Sequence, residues 1–108
     1  MGIVFVYITA GDKTEARAIG RELIEANLAA CVNIFDPMNS MYRWQGEVHD
    51  EQETVLIAKT TEEKIAALQD KVLDIHSYDC PCILVFPVSA GHAPYMAWIK
   101  DQVRGEVT

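Results

Sequence analysis

The sequence lacks any apolar run of the roughly 20 residues that a membrane-spanning helix needs, and it lacks a Ser/Gly-rich linker, a charge block or a low-complexity stretch that would divide it. Neither a membrane span nor a second domain is expected, and residues 1–108 are read as one domain. Basic charge is scarce: nine Lys and Arg stand against sixteen Asp and Glu, giving a net charge of −7 and a pI near 4.8. That is the wrong sign for a phosphate backbone or an anionic lipid surface, which excludes nucleic acid and membrane as partners. Cysteine is sparse and odd in number, with only Cys31, Cys80 and Cys82; a small secreted domain would show an even disulfide framework instead. Met1 to Tyr7 carries neither the positive charge nor the small-residue cleavage site of a secretory signal. Reduced thiols and a cytoplasmic setting follow as expectations.

What is present is ordinary globular composition, 50% hydrophobic and 23% charged. A chain of this size folds with little margin, so association of copies is expected to help it. Ile3 to Ala10 is a β-prone run. Asp12 with Glu15 reads as a helix N-cap and its capping-box partner, followed by an apolar stripe at Ala16, Ile19, Gly20, Leu23, Ile24 and Asn27. Lys13, Arg17, Arg21, Glu22 and Glu25 form the solvated face. Ala30 to Phe35 returns to strand character, and Pro37 and Asn39 are expected to break it. Ser40 to Trp44 and Glu47 to Thr60 then flank Gln45-Gly46 as a hairpin. Thr60 and Glu63 repeat the capping-box spacing ahead of Ile65, Leu68, Val72 and Ile75, a helix predicted to end near His76. Ile83 to Phe86 follows Pro81 as a strand, and Pro94 opens a third helix through Tyr95, Trp98 and Ile99.

This order predicts an α+β fold, a ferredoxin-like βαβ-βαβ sandwich: an antiparallel four-stranded sheet with helices on one face, an extended hairpin and a short C-terminal helix. A doubly wound parallel sheet is the alternative. The hairpin is longer than such a sheet needs and would leave edges and aromatic side chains uncovered, which calls for pairing with other subunits in a cyclic dimer or trimer.

Several residues are chemical candidates on their own terms. Cys31 reads first as a small buried hydrophobe and second as a soft metal ligand. His76 reads as a helix C-terminal residue or as an imidazole donor. Paired with Cys31 it would give a nucleophile and base, but no orienting third group or oxyanion site accompanies them, so the chain is read as non-catalytic. Cys80 and Cys82 lie near or beyond the span of an unstrained disulfide. Strand alternation puts Glu47, His49, Glu51 and Glu53 on one face, and Ser40, Tyr42 and Trp44 on one face of the same hairpin. Tyr95 and Trp98 share one side of the last helix.

Ala29-Ala30-Cys31-Val32-Asn33, the run Ser40 to Gly46, Glu53 with Lys59-Thr60, His76-Ser77-Tyr78 with Pro81, and Gly91 with Tyr95 and Trp98 occur in one order along most of the chain. Together they resemble the CutA family of divalent cation tolerance proteins. The resemblance implies a ferredoxin-like subunit, a tight homotrimer built by strand exchange at sheet edges, and an association with tolerance to copper and other divalent metal ions. The family's likeness to PII signalling proteins further implies a small-ligand or partner site at clefts between subunits. Under this resemblance His76 and Cys31 are the expected metal donors. Tyr42, Trp44, Glu53, Lys59, Tyr78, Tyr95 and Trp98 are expected at the ligand cleft or trimer interface. No organic cofactor is implied.

Overall fold

The computed structural model describes residues 2–104. The elements run β1 (Ile3–Ala10), α1 (Lys13–Glu25), β2 (Cys31–Trp44), β3 (Glu47–Thr61), α2 (Ile65–Ile75), β4 (Ile83–Pro87) and α3 (Ala93–Val103), with one 3-10 turn at Glu62–Lys64 ahead of α2. The first helix starts where its cap predicts: the Asp12 carboxylate accepts the Glu15 amide at 2.8 Å. Glu15 reaches back past the cap to accept the Gly11 amide at 3.0 Å. The helix stops at Glu25, short of Asn27, which closes it in a left-handed conformation at φ 60°.

The four strands form one sheet in the order β2-β3-β1-β4, and every neighbouring pair is antiparallel. That order, with a helical crossover after β1 and another after β3, is the ferredoxin-like arrangement and excludes the parallel alternative. One sheet face carries Val4, Val6, Ile8 and Ala10 of β1 with Leu56 and Ala58 of β3. These pack against Ala16, Ile19 and Leu23 of α1 and Leu68 and Val72 of α2 as a buried core. Each such Leu or Ile contributes about 1.5–3 kcal/mol of transfer free energy.

The opposite face is set by the same register. Phe5 pairs with Lys59 and Phe86, Tyr7 with Ile57 and Leu84, and Phe35 with Val55, so all of these side chains point away from α1 and α2. Helix α3 reaches this side, where Tyr95 meets Lys59. It covers only part of it: Phe35, Leu84 and Phe86 are each more than half exposed, at 55%, 55% and 52%.

Two local expectations are corrected. Pro37 and Asn39 do not break the second strand, because β2 is an edge strand that tolerates a missing amide and takes up the irregularity as a register shift. Phe35 opposes Val55 and Met38 opposes Glu53, so β2 spends one more residue than β3 across this step. Thr60 is not a helix cap either; it lies inside β3 opposite Val4, and its buried hydroxyl has no hydrogen-bond partner among the described residues. The hairpin turn is as predicted, with Gln45 at φ 52° and Gly46 at φ 84°, the doubly positive turn that follows strand twist.

Candidate functional site

The residues singled out from the sequence fall into three groups in one chain. The first lies at the end of the sheet where β1 runs into α1. Helix α2 ends at Ile75, and its C-cap His76 turns a fully buried imidazole inward. The His76 Nδ1 accepts the Tyr78 amide at 3.0 Å, which leaves the proton on Nε2 to donate to the Thr9 carbonyl at 2.8 Å. Glu15 stands 3.6 Å from Nδ1 and accepts the Ser77 amide at 2.8 Å. Burial alone would raise the Glu15 carboxyl, but hydrogen bonds from Ser77 and Gly11, with His76 nearby, hold it below its ordinary value.

Tyr78 extends this group onto the open face. Its hydroxyl donates to Glu53 at 2.8 Å, and its ring lies 4.7 Å from that of His76. Burial first, and then the Glu53 carboxylate, push the Tyr78 phenol well above its usual range, so it stays protonated and a donor at all ordinary pH. Cys82 sits beside the same carboxylate. Burial and the Glu53 charge push its thiol up, against a weaker opposing bond to Thr9. Beside Glu53 along the ladder is Met38, whose sulfur accepts the Tyr7 hydroxyl at 3.5 Å.

The second group is the distal hairpin. Tyr42 and His49 are directly opposed, with rings stacked at 5.2 Å, and the Tyr42 hydroxyl donates to Glu51 at 2.8 Å. That bond, more than any burial, pushes the Tyr42 phenol up. His49 Nδ1 lies 3.6 Å from the other Glu51 oxygen. Trp44 projects on this face and is 53% exposed, while Met41 on the reverse face is 71% exposed.

The third group surrounds Lys59. Its ammonium donates to the Tyr95 hydroxyl at 3.2 Å, lies 5.8 Å from the centre of the Phe5 ring and 5.4 Å from that of Tyr95, and Tyr95 stacks on Trp98 at 5.6 Å. Cys31 opposes Lys59 in the ladder and is half-buried on the open face rather than fully enclosed.

Cys31 and His76 are therefore not brought together within a chain. Cys31 lies level with Phe5 and His76 is fixed to Thr9, four residues or roughly 13 Å along the strand direction. Both His76 nitrogens are occupied by protein partners. Among the described residues no three His, Cys, Asp or Glu side chains come together in an arrangement that could hold a metal ion, and a structural zinc site needs at least that many donors. The described residues of one chain on its own do not fit such a centre. All three thiols are free. Glu53 is satisfied by Tyr78, not by Lys59 or Arg43 of the same chain. An open groove of about 410 Å³ between α1 and β2, lined by Arg17, Arg21, Glu25, Val32 and Ile34, contains none of the candidates.

Sequence reasoning missed Glu15 and Thr9 as members of the first group. Glu15 was legible as a cap residue, but its bond to Ser77 spans 62 positions, and no local spacing announces it.

Residues 4–102 match the family model described as CutA1 divalent ion tolerance protein. The chain belongs to that family. It is 42% identical over 100 residues to the divalent-cation tolerance protein CutA of Archaeoglobus fulgidus, covering 93% of this chain and 97% of the relative. It is 41% identical over 96 residues to the corresponding Thermus thermophilus protein, covering 89% and 93%. The solved structure of CutA1 from Oryza sativa superposes with a TM-score of 0.94 at 34% identity, over 98% of this chain and 97% of that one. The ferredoxin-like subunit expected from the CutA resemblance is thus what the chain folds into.

Proposed function

We propose that this chain is a non-catalytic, homotrimeric divalent-cation tolerance protein that binds copper or another divalent metal ion with donors assembled from more than one subunit. Family membership supports the tolerance role. The observation that carries the assembled site is the open sheet face: Phe35, Leu84 and Phe86 lie uncovered on it, continuous with the aromatic side of the hairpin. An apolar face of that kind is a protein interface in soluble proteins. Cys31, His49, Glu51 and Glu53 all stand on that face, so subunits packed through it would bring together donors that one chain keeps apart. In this reading His76 is a structural clamp that holds Tyr78, and Cys31 is a soft donor. The three free thiols support a cytoplasmic setting, although the A. fulgidus structure is described as a periplasmic protein; cell fractionation decides between the two.

The test is titration of the reduced protein with Cu(I) and Zn(II) against a competing chelator, with oligomer mass read by native mass spectrometry in the same samples. Saturable binding to a trimer, weakened by Cys31→Ser, supports the reading. Weak, non-stoichiometric binding to an intact trimer would move the function to a PII-like sensor or scaffold, a reading that the ring-lined Lys59 favours.

A further inference from the structure

Lys59 is a half-buried cation with no carboxylate beside it among the described residues. Among the described residues Arg21, Lys71 and Arg104 stand within ion-pair distance of a carboxylate, Lys71 with Glu22 at 3.3 Å and Arg104 with Asp101 at 2.6 Å, while Lys13, Arg17, Arg43, Lys64 and Lys100 do not; what sets Lys59 apart is the pair of rings beside it. Among the described residues Lys59 has no carboxylate oxygen within ion-pair distance; its neighbours are the Tyr95 hydroxyl and the faces of Phe5 and Tyr95. A partly desolvated ammonium is ordinarily balanced by an opposite charge. It has three donors, of which Tyr95 takes one.

The surroundings are flat and apolar. Phe5 and Tyr95 beside this ammonium remain 36% and 41% exposed, and Trp98, stacked on Tyr95, is 42% exposed. Exposed rings beside an unbalanced point charge recognise a ligand with a flat ring and an anionic group. The charge count narrows the class further. With one ammonium in the group and a chain of net charge −7, a single negative charge is balanced, whereas a polyphosphate would bring surplus repulsion.

We infer that Lys59, Phe5, Tyr95 and Trp98 form a binding site for a small aromatic monocarboxylate, its carboxylate on the Lys59 ammonium and its ring on the aromatic surfaces. The site rests on the reading above that a second subunit closes over the open face, because a single chain leaves these rings in solvent.

The experiment is calorimetric titration of the full-length protein with indole-3-carboxylate, indole-3-carboxamide, cyclohexanecarboxylate and AMP, with oligomer mass measured on the same samples. Indole-3-carboxylate is expected to bind saturably. The neutral amide and the non-aromatic acid should bind at least about tenfold more weakly, the usual worth of one charge-assisted hydrogen bond. Lys59→Gln should lose binding by at least about tenfold while Lys59→Arg retains it, both with an unchanged melting temperature. Equal binding of carboxylate and amide, or tighter binding of AMP, would overturn the assigned class. An intact oligomer that binds none of the four overturns the ligand site alone and gives Lys59 a carboxylate of the partner subunit. A monomer in solution overturns the closed face and this site with it.

Discussion

Tyr78 and Glu53 are joined across 25 positions of sequence by a 2.8 Å hydrogen bond that ties the loop after α2 to the open face of β3. The phenol is the donor and the carboxylate the acceptor, so the pair keeps its form across the whole range in which Glu53 is ionised. Tyr78→Phe removes the donor and leaves a half-buried carboxylate unsatisfied, which should destabilise the protein by about 1.5–3 kcal/mol. Urea unfolding at neutral pH measures this; a loss below about 0.5 kcal/mol, the scale of an ordinary surface change, would show the bond to be dispensable.

Acid should weaken the same end of the sheet through Glu15. A carboxyl held below its ordinary value of 4.5 in the folded state stabilises the fold above that pH, and the stabilisation is lost as pH falls through the lower folded-state value. Glu15→Gln should therefore be less stable than the parent at pH 7 but show a flatter decline on acidification below pH 4.5. Parallel acid denaturation curves for the two proteins would remove Glu15 from this role.

Thiol reactivity should divide Cys80 from Cys82. Cys80 is exposed, while Cys82 is half-buried with a thiol pushed up by burial and by the Glu53 charge. Iodoacetamide at pH 8 should label Cys80 ahead of Cys82, and Glu53→Gln should speed Cys82 labelling in a Cys80→Ser background. Labelling of Cys82 that ignores Glu53 would leave burial as the sole cause.

If subunits pack through the open face as proposed, placing charge on it should break the assembly without unfolding the subunit. Phe86 is on an edge strand, 52% exposed and outside the α1/α2 core. Phe86→Asp should lower the mass seen by light scattering toward the 12.1 kDa of one chain while the far-ultraviolet dichroism is kept. An unchanged oligomer would mean that the subunits meet elsewhere.

The turn at Gly46 offers a purely local test. At φ 84° with nothing within 4 Å of an added Cβ, Gly46→Ala meets no neighbour and suffers only the backbone strain of an L-residue in the left-handed region. A loss of about 1 kcal/mol in thermal or urea unfolding is expected.

Much of this architecture is legible in the sequence because it is written at short range. Asp12 and Glu15 announce α1, Gln45-Gly46 the hairpin, and alternation groups Tyr42 with Trp44 and His49 with Glu51, all from spacings of a few residues, while the register shows that these two sets share a face. Most residues of the candidate site were also legible, Glu15 and Thr9 excepted, but their grouping was not. Cys31 and His76 look like one donor set until the register puts them level with Phe5 and Thr9. The Lys59–Tyr95 contact spans 36 positions and depends on α3 crossing to the far side of the sheet, which helical periodicity in α3 does not encode. Pro37 misled for a related reason: whether a proline ends a strand depends on whether its missing amide faces a neighbour, and that is fixed by strand order.

The extra residue that β2 carries between Phe35 and Met38 acts as a parity switch. Side chains alternate along a strand, so the seven positions from Phe35 to Tyr42 would put those two on opposite faces of a regular strand; the shift absorbs the odd count and returns Tyr42 and Trp44 to the open side, with Met41 and Arg43 on the other. Deleting one residue there would restore an unbroken ladder with the same side chains on the same faces, whereas a regular strand that kept every residue would turn the outer hairpin inside out. The chemical character of the surface of the outer hairpin is thus governed by whether one surplus residue is absorbed within the ladder, independently of which residue that is.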